Sequence, residues 1–153
     1  MNTYADSSAV VPLYVTERFS DAAESALKGA GQAPFTLVHQ LEVPNAFECL
    51  VGRRLLTRVE CRGLYDHLQE DMDDRRLVPV SLDLEAVFAQ AAELSRAHAA
   101  RLLARSLDLI HVASAHLLQC KTFVSADDRQ LRVARATGLR IVDIKKPIGG
   151  KKT

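Results

Sequence analysis

With 153 residues, 48% hydrophobic and 25% charged, the chain suits one globular domain with a sizeable core and is no disordered polymer. Twenty Lys and Arg against 19 Asp and Glu give a net charge of +1, so the molecule as a whole is no electrostatic trap for nucleic acid. Any polyanion site must come from a local patch or from bound metal.

The opening MNTYADSSAVVPLYV lacks the basic and apolar regions of a secretory signal, and no run reaches the ~20 apolar residues of a membrane helix. A cytoplasmic protein with no membrane association is expected. Cys49, Cys61 and Cys120 are odd in number and lack metal-ligand spacing, so they read as buried free thiols in a reducing compartment.

In chain order, Asn2–Ala5 is predicted as a strand ending at Asp6, with Ser7 and Ser8 as helix N-cap candidates and Ala9–Val15 as a short helix. Ser20 and Asp21 open a helix over Ala22–Gly29. Phe35–Val38 is predicted as extended. The helix after it carries Leu41, Ala46, Leu50 and Leu55 on its apolar face, and Pro44 places its start near Glu42. Val59–Met72 is an amphipathic helix, closed by a solvated acidic run of Glu70, Asp71, Asp73 and Asp74. A strand at Leu77–Val80 precedes a helix over Leu84–Ala100 capped by Asp83, then one over Leu107–Leu118 capped by Ser106. Thr122–Val124 is a strand, Arg129–Thr137 a helix stopped by Gly138, and Leu139–Val142 the last strand. Short apolar strands alternating with helices predict an α/β three-layer sandwich with a short central parallel sheet. One domain over residues 1–146 and a flexible basic tail over 147–153 are expected.

In such a sheet, ligands bind beyond the carboxyl ends of the strands. Asp6 and Asp127 follow strands, while Asp108 and Glu42 fall near helix starts, so four carboxylates remote in sequence can meet at one edge. Clustered carboxylates repel unless a cation lies between them, and hard oxygen ligands select Mg²⁺ or Mn²⁺. The chemistry that fits is phosphodiester hydrolysis. The competing reading is that each acid only caps a helix or faces water. A haloacid-dehalogenase-like phosphatase is excluded, because it needs Asp-x-Asp where this chain has Asp6-Ser7-Ser8.

Four stretches, in this order, resemble the PIN domain family from Tyr4 to about Ile144: Tyr4–Val10, Leu41–Phe47, Arg105–Ala115 and Val124–Leu131. The third is the most specific, with Asp108 followed three residues on by His111 and then by Ala113-Ser114-Ala115. In the fourth, Ala126 stands where an aromatic is common. The resemblance implies that Asp6, Glu42, Asp108 and Asp127 hold one or two Mg²⁺ or Mn²⁺ ions, with Asp127 preferred over Asp128. It implies an activated water attacking phosphorus in line, leaving a 5′-phosphate and a 3′-hydroxyl. Ser8 would orient Asp6 or a metal-bound water through its hydroxyl, and Asn45, one turn after Glu42, belongs to the second of these motifs.

Size and the lack of further domains make a VapC-type toxin the natural subclass. That implies an endoribonuclease acting on transfer or ribosomal RNA, a homodimer, and a cognate antitoxin covering the site. The alternative is a PIN-like module that binds RNA or protein without cutting. His111 reads as a contact near the acids or as a packed core histidine, and the second is preferred. Arg105 either pairs with an acid of the site or caps a helix. Arg53, Arg54, Arg58, Arg62, Lys145, Lys146, Lys151 and Lys152 are candidate RNA contacts or merely solvated charges. His39, His67, His98 and His116 show no metal spacing.

Overall fold

A computed structural model describes residues 1–146, and the expected basic tail lies outside them. Strand β1 (Thr3–Ala5) pairs in parallel with β4 (Thr122–Ser125), which pairs in parallel with β5 (Arg140–Asp143), so β4 is central. The register sets Tyr4 beside Phe123 and Ala5 beside Val124. Because strand side chains alternate, Tyr4 and Phe123 face one core while Ala5 and Val124 face another. Beside this sheet, β2 (Ala33–Phe35) and β3 (Leu77–Pro79) form a separate parallel pair.

The first core packs α5 (Leu84–Leu94), α7 (Ser106–Leu117) and α8 (Asp128–Ala136) through residues such as Leu94, Leu109, Val112 and Leu131. The second packs α1 (Ser7–Val10), α2 (Ser20–Lys28), α3 (Leu37–Gly52) and α4 (Arg58–Asp73) through Val10, Ala23, Val43, Phe47 and Leu68. The expected three layers are present, with α6 (Ala100–Leu102) a short turn between α5 and α7.

Several boundaries differ from expectation for local reasons. The strand before α3 ends at Phe35, and α3 begins at Leu37, a turn and a half before Glu42. Its start is set by His39, whose Nδ1 accepts the Thr36 N–H at 3.0 Å, the role a Glu or Gln usually plays. Pro44 therefore lies inside the helix, where the Gln40 carbonyl lacks its helical donor. Helix α1 is capped by Asp6 itself rather than by Ser7 or Ser8, and it gives way to a 3₁₀ turn over Val11–Leu13 that carries Pro12. Arg105, not Ser106, holds the N-cap position of α7. Helix α5 stops at Leu94 and continues as a wider π turn over Ser95–Ala99 with no buried residue.

Asp71 leaves the solvated run, because Tyr14 Oη donates to it at 2.6 Å and Arg76 pairs with it. Cys61 and Cys120 are buried free thiols, but Cys49 is exposed. It lies about 200° around α3 from buried Phe47, on the face turned away from the core.

Gly138 ends α8 at φ +89°, with open space where a side chain would begin. Gly138→Ala therefore meets no clash and costs only backbone strain, about 1–2 kcal/mol. Urea unfolding checks this; a neutral or stabilising substitution would contradict it.

Candidate active site

The four acids line one cleft of about 510 Å³ at the carboxyl ends of β1 and β4, together with Ser7, Ser8, Arg105, Ser106, Leu107, Arg129 and Gln130. Asp6 has no exposure to solvent. Its backbone N–H extends the β1–β4 ladder to the Val124 carbonyl. Oδ1 accepts from Ser8 Oγ at 2.7 Å and from the Ala9 N–H, and Oδ2 accepts from Ser125 Oγ at 2.9 Å. Both hydroxyls are aimed by the chain, since Ser8 Oγ accepts the Ala126 N–H and Ser125 Oγ the Asp127 N–H. Burial pushes the Asp6 carboxyl up to about 6, although His111 and these donors pull it down.

Glu42 projects from α3 and accepts on Oε2 from Ser7 Oγ at 2.6 Å and His111 Nε2 at 2.7 Å. Burial alone would raise its carboxyl, but the bonds from His111 and Ser7 outweigh that and hold it below its ordinary value. His111 is fully buried, with Nδ1 2.8 Å from Tyr4 Oη. The set is satisfied when Tyr4 donates to Nδ1 and Nε2–H donates to Glu42. His111 is thus both a packed core residue and the support of an acid. Behind it, burial and the neighbouring His111 push His39 down to about 3. Neutral His39 accepts from Thr36 on Nδ1 and donates from Nε2 to the Ala5 carbonyl, tying α3 to the end of β1.

Asp108, nearly buried in the first turn of α7, accepts the Arg105 N–H on Oδ2 at 2.7 Å. Arg105 thus meets this acid through its backbone; its side chain is exposed at the cleft rim and makes no ion pair among the described residues. Asp127 caps α8, accepting the Arg129 and Gln130 N–H groups on Oδ1. Asp128 turns out to Lys145, so Asp127 is the acid in the cleft.

Asn45 is exposed on α3 and does not line the cleft. Neither do Arg53, Arg54, Arg58 and Arg62, which are all exposed, with Arg58 paired to Glu48. Lys145 and Lys146 pair with Asp128 and Asp143, and Lys151 and Lys152 lie outside the described residues.

Among the described residues, no three His, Cys, Asp or Glu stand close enough to hold an ion as the side chains lie. The acids are held by protein partners instead: Asp127 and Asp108 share Arg129, Glu42 has His111, and Asp6 has its serines. The donor set nonetheless fits a hard divalent cation. It is oxygen only, it contains a fully buried carboxyl that burial has raised, and its bonds leave Glu42 Oε1 and Asp108 Oδ1 unused.

A sequence model of the PIN domain matches residues 3–136. The chain belongs to the PIN domain family. Solved structures share its fold, two of them over nearly the whole chain. FitAcB from Neisseria gonorrhoeae superposes with a TM-score of 0.66 at 13% identity, covering 94% of this chain and 98% of that one. PAE2754 from Pyrobaculum aerophilum gives 0.59 at 18%, covering 95% and 90%. No curated protein matches the sequence.

Within this PIN domain, sequence reasoning missed Arg129, Ser7, Ser125, Tyr4 and His39 as members or supports of the site. Arg129 alone left a signal, because a cation in the first turn of a helix opposes the helix dipole and needs a reason to be there.

Since the folded Asp6 carboxyl is raised to about 6 from 3.8, its contribution to stability is present below about pH 4 and lost as pH rises through 6. That loss is on the order of 2–3 kcal/mol. In EDTA at pH 7.5, Asp6→Asn should melt no lower than wild type, and millimolar Mg²⁺ should narrow or reverse the order. Equal destabilisation with and without metal would return Asp6 to a purely structural role.

Proposed function

We propose that this PIN domain is a Mg²⁺- or Mn²⁺-dependent endoribonuclease, the toxin of a VapBC-type toxin–antitoxin pair. The observation that carries the reading is the convergence of Asp6, Glu42, Asp108 and Asp127, from four separate elements, on one cleft at the sheet edge. These carboxylates would hold the cation, which supplies the charge that polarises a phosphodiester and makes a water nucleophilic at neutral pH. Ser8 and Ser125 fix the aim of Asp6, and His111 and Ser7 fix that of Glu42. Arg105, at the rim and without an ion pair among the described residues, would meet a phosphate oxygen of the RNA.

Transfer or ribosomal RNA is the substrate class that the VapC resemblance suggests. A protein partner is supported by an apolar groove of Leu37, Leu41, Leu84, Phe88, Leu107 and Ile110, of which Leu107 also lines the acidic cleft. Leu41 and Phe88 are 66% and 60% exposed there, an apolar surface that a covering antitoxin segment would bury. Leu55 and Val59, also exposed, are available to a homodimer. Among the described residues no helix is long and apolar enough to cross a membrane. A cytoplasmic location is part of the proposal. Residues 1–146 form the nuclease domain in this reading, and 147–153 a basic tail.

The test is cleavage of structured RNA by purified protein with Mg²⁺ or Mn²⁺. EDTA should abolish it, and Asp6→Asn or Asp108→Asn should lower it by about 100-fold while leaving the fold intact. Asp6→Asn protein that cuts as fast as wild type would contradict the assignment. RNA binding by wild type without cleavage would identify a non-catalytic module instead.

A further inference from the structure

Arg129 is a cation in the first turn of α8, where the helix dipole disfavours it, yet its place is specific. Nη2 lies 3.1 Å from Asp127 Oδ2 and Nε 3.6 Å from Asp108 Oδ2, so one guanidinium bridges acids from two helices. The second distance is too long for a hydrogen bond, and Nε is buried without a hydrogen-bond partner among the described residues. The group is therefore held by charge rather than by a matched two-point fork. Its side chain is 31% exposed and borders solvent, the side toward which it can withdraw.

We propose that Arg129 is the resident cation of the acidic cleft and competes with the divalent ion, which displaces the guanidinium from between Asp108 and Asp127 when it binds. This rests on the reading of the cleft as a divalent-cation site. Without the ion, the guanidinium relieves repulsion between the acids; with the ion present, the same positive charge opposes its entry. Arg105, the other arginine of the cleft, makes no ion pair among the described residues and does not share the role. Arg129 is thus a positioning residue that sets metal affinity.

Three measurements test this on the full chain. Calorimetry with Mn²⁺ should show R129Q binding about tenfold tighter than wild type, with R129K, which keeps the charge, nearer wild type. In EDTA, R129Q should melt lower than wild type, and saturating Mn²⁺ should close the gap. In wild type, the Arg129 Nε–H resonance, assigned by its loss in R129K, should shift when Mg²⁺ saturates the site. The resonance does not depend on R129Q folding. Mn²⁺ binding by folded R129Q that is equal to wild type or weaker overturns the competition alone, as does a resonance that Mg²⁺ leaves unmoved. Failure of both wild type and R129Q to bind Mn²⁺ overturns the cation-site reading and the competition with it.

Discussion

A carboxyl group sealed from solvent at the end of a strand is the constraint on which the rest of the cleft depends. Asp6 continues the β1–β4 ladder through its backbone and caps α1 through its side chain, so strand, turn and helix all meet at one residue. Burying that group without a cation is costly, and the chain answers with Ser8, Ser125 and the Ala9 N–H rather than with a lysine or arginine. Neutral donors steady the carboxylate without cancelling its charge. That leaves an acid which is rigid in position and, among the described residues, paired with no lysine or arginine, an environment that suits a metal ligand.

The other three acids are handled differently, and the differences follow from their elements. Asp108 and Asp127 sit at helix starts, where free backbone N–H groups already favour negative charge, so they need less from side chains and share one guanidinium. Glu42 comes from within α3 and has no helix end to lean on. Its support is a buried chain from Tyr4 through His111, anchored in the aromatic packing of Tyr4 on Phe123 and of His39 on Phe35. The core and the site are therefore continuous here, and a change in the packing of Tyr4 reaches Glu42 through two hydrogen bonds.

Much of this was legible in the sequence. Asp6 and Asp127 follow short apolar strands, so their level in the sheet could be read from the pattern alone, as could the three layers. Glu42 was harder, because Pro44 argued for a helix starting beside it. The true start depends on His39 acting in a cap, and a His at that position carries no common signal. Ser7 and Ser125 were hidden for a different reason: a serine within two residues of an acid at a strand end looks like a turn residue until the fold shows where its hydroxyl lands. Arg129 was hidden because its partners lie on two helices whose approach no local pattern encodes.

The proposed cation site requires the buried Asp6 carboxyl to give up its proton to a divalent ion, and proton release on metal binding tests that most directly. With Asp6 raised to about 6, titrating Mn²⁺ at pH 6 in buffers of different ionisation enthalpy should release roughly half a proton per ion bound, falling away above pH 7.5. Asp6→Asn should abolish that release. Metal binding with no proton release at pH 6, or with the same release in Asp6→Asn, would contradict the account.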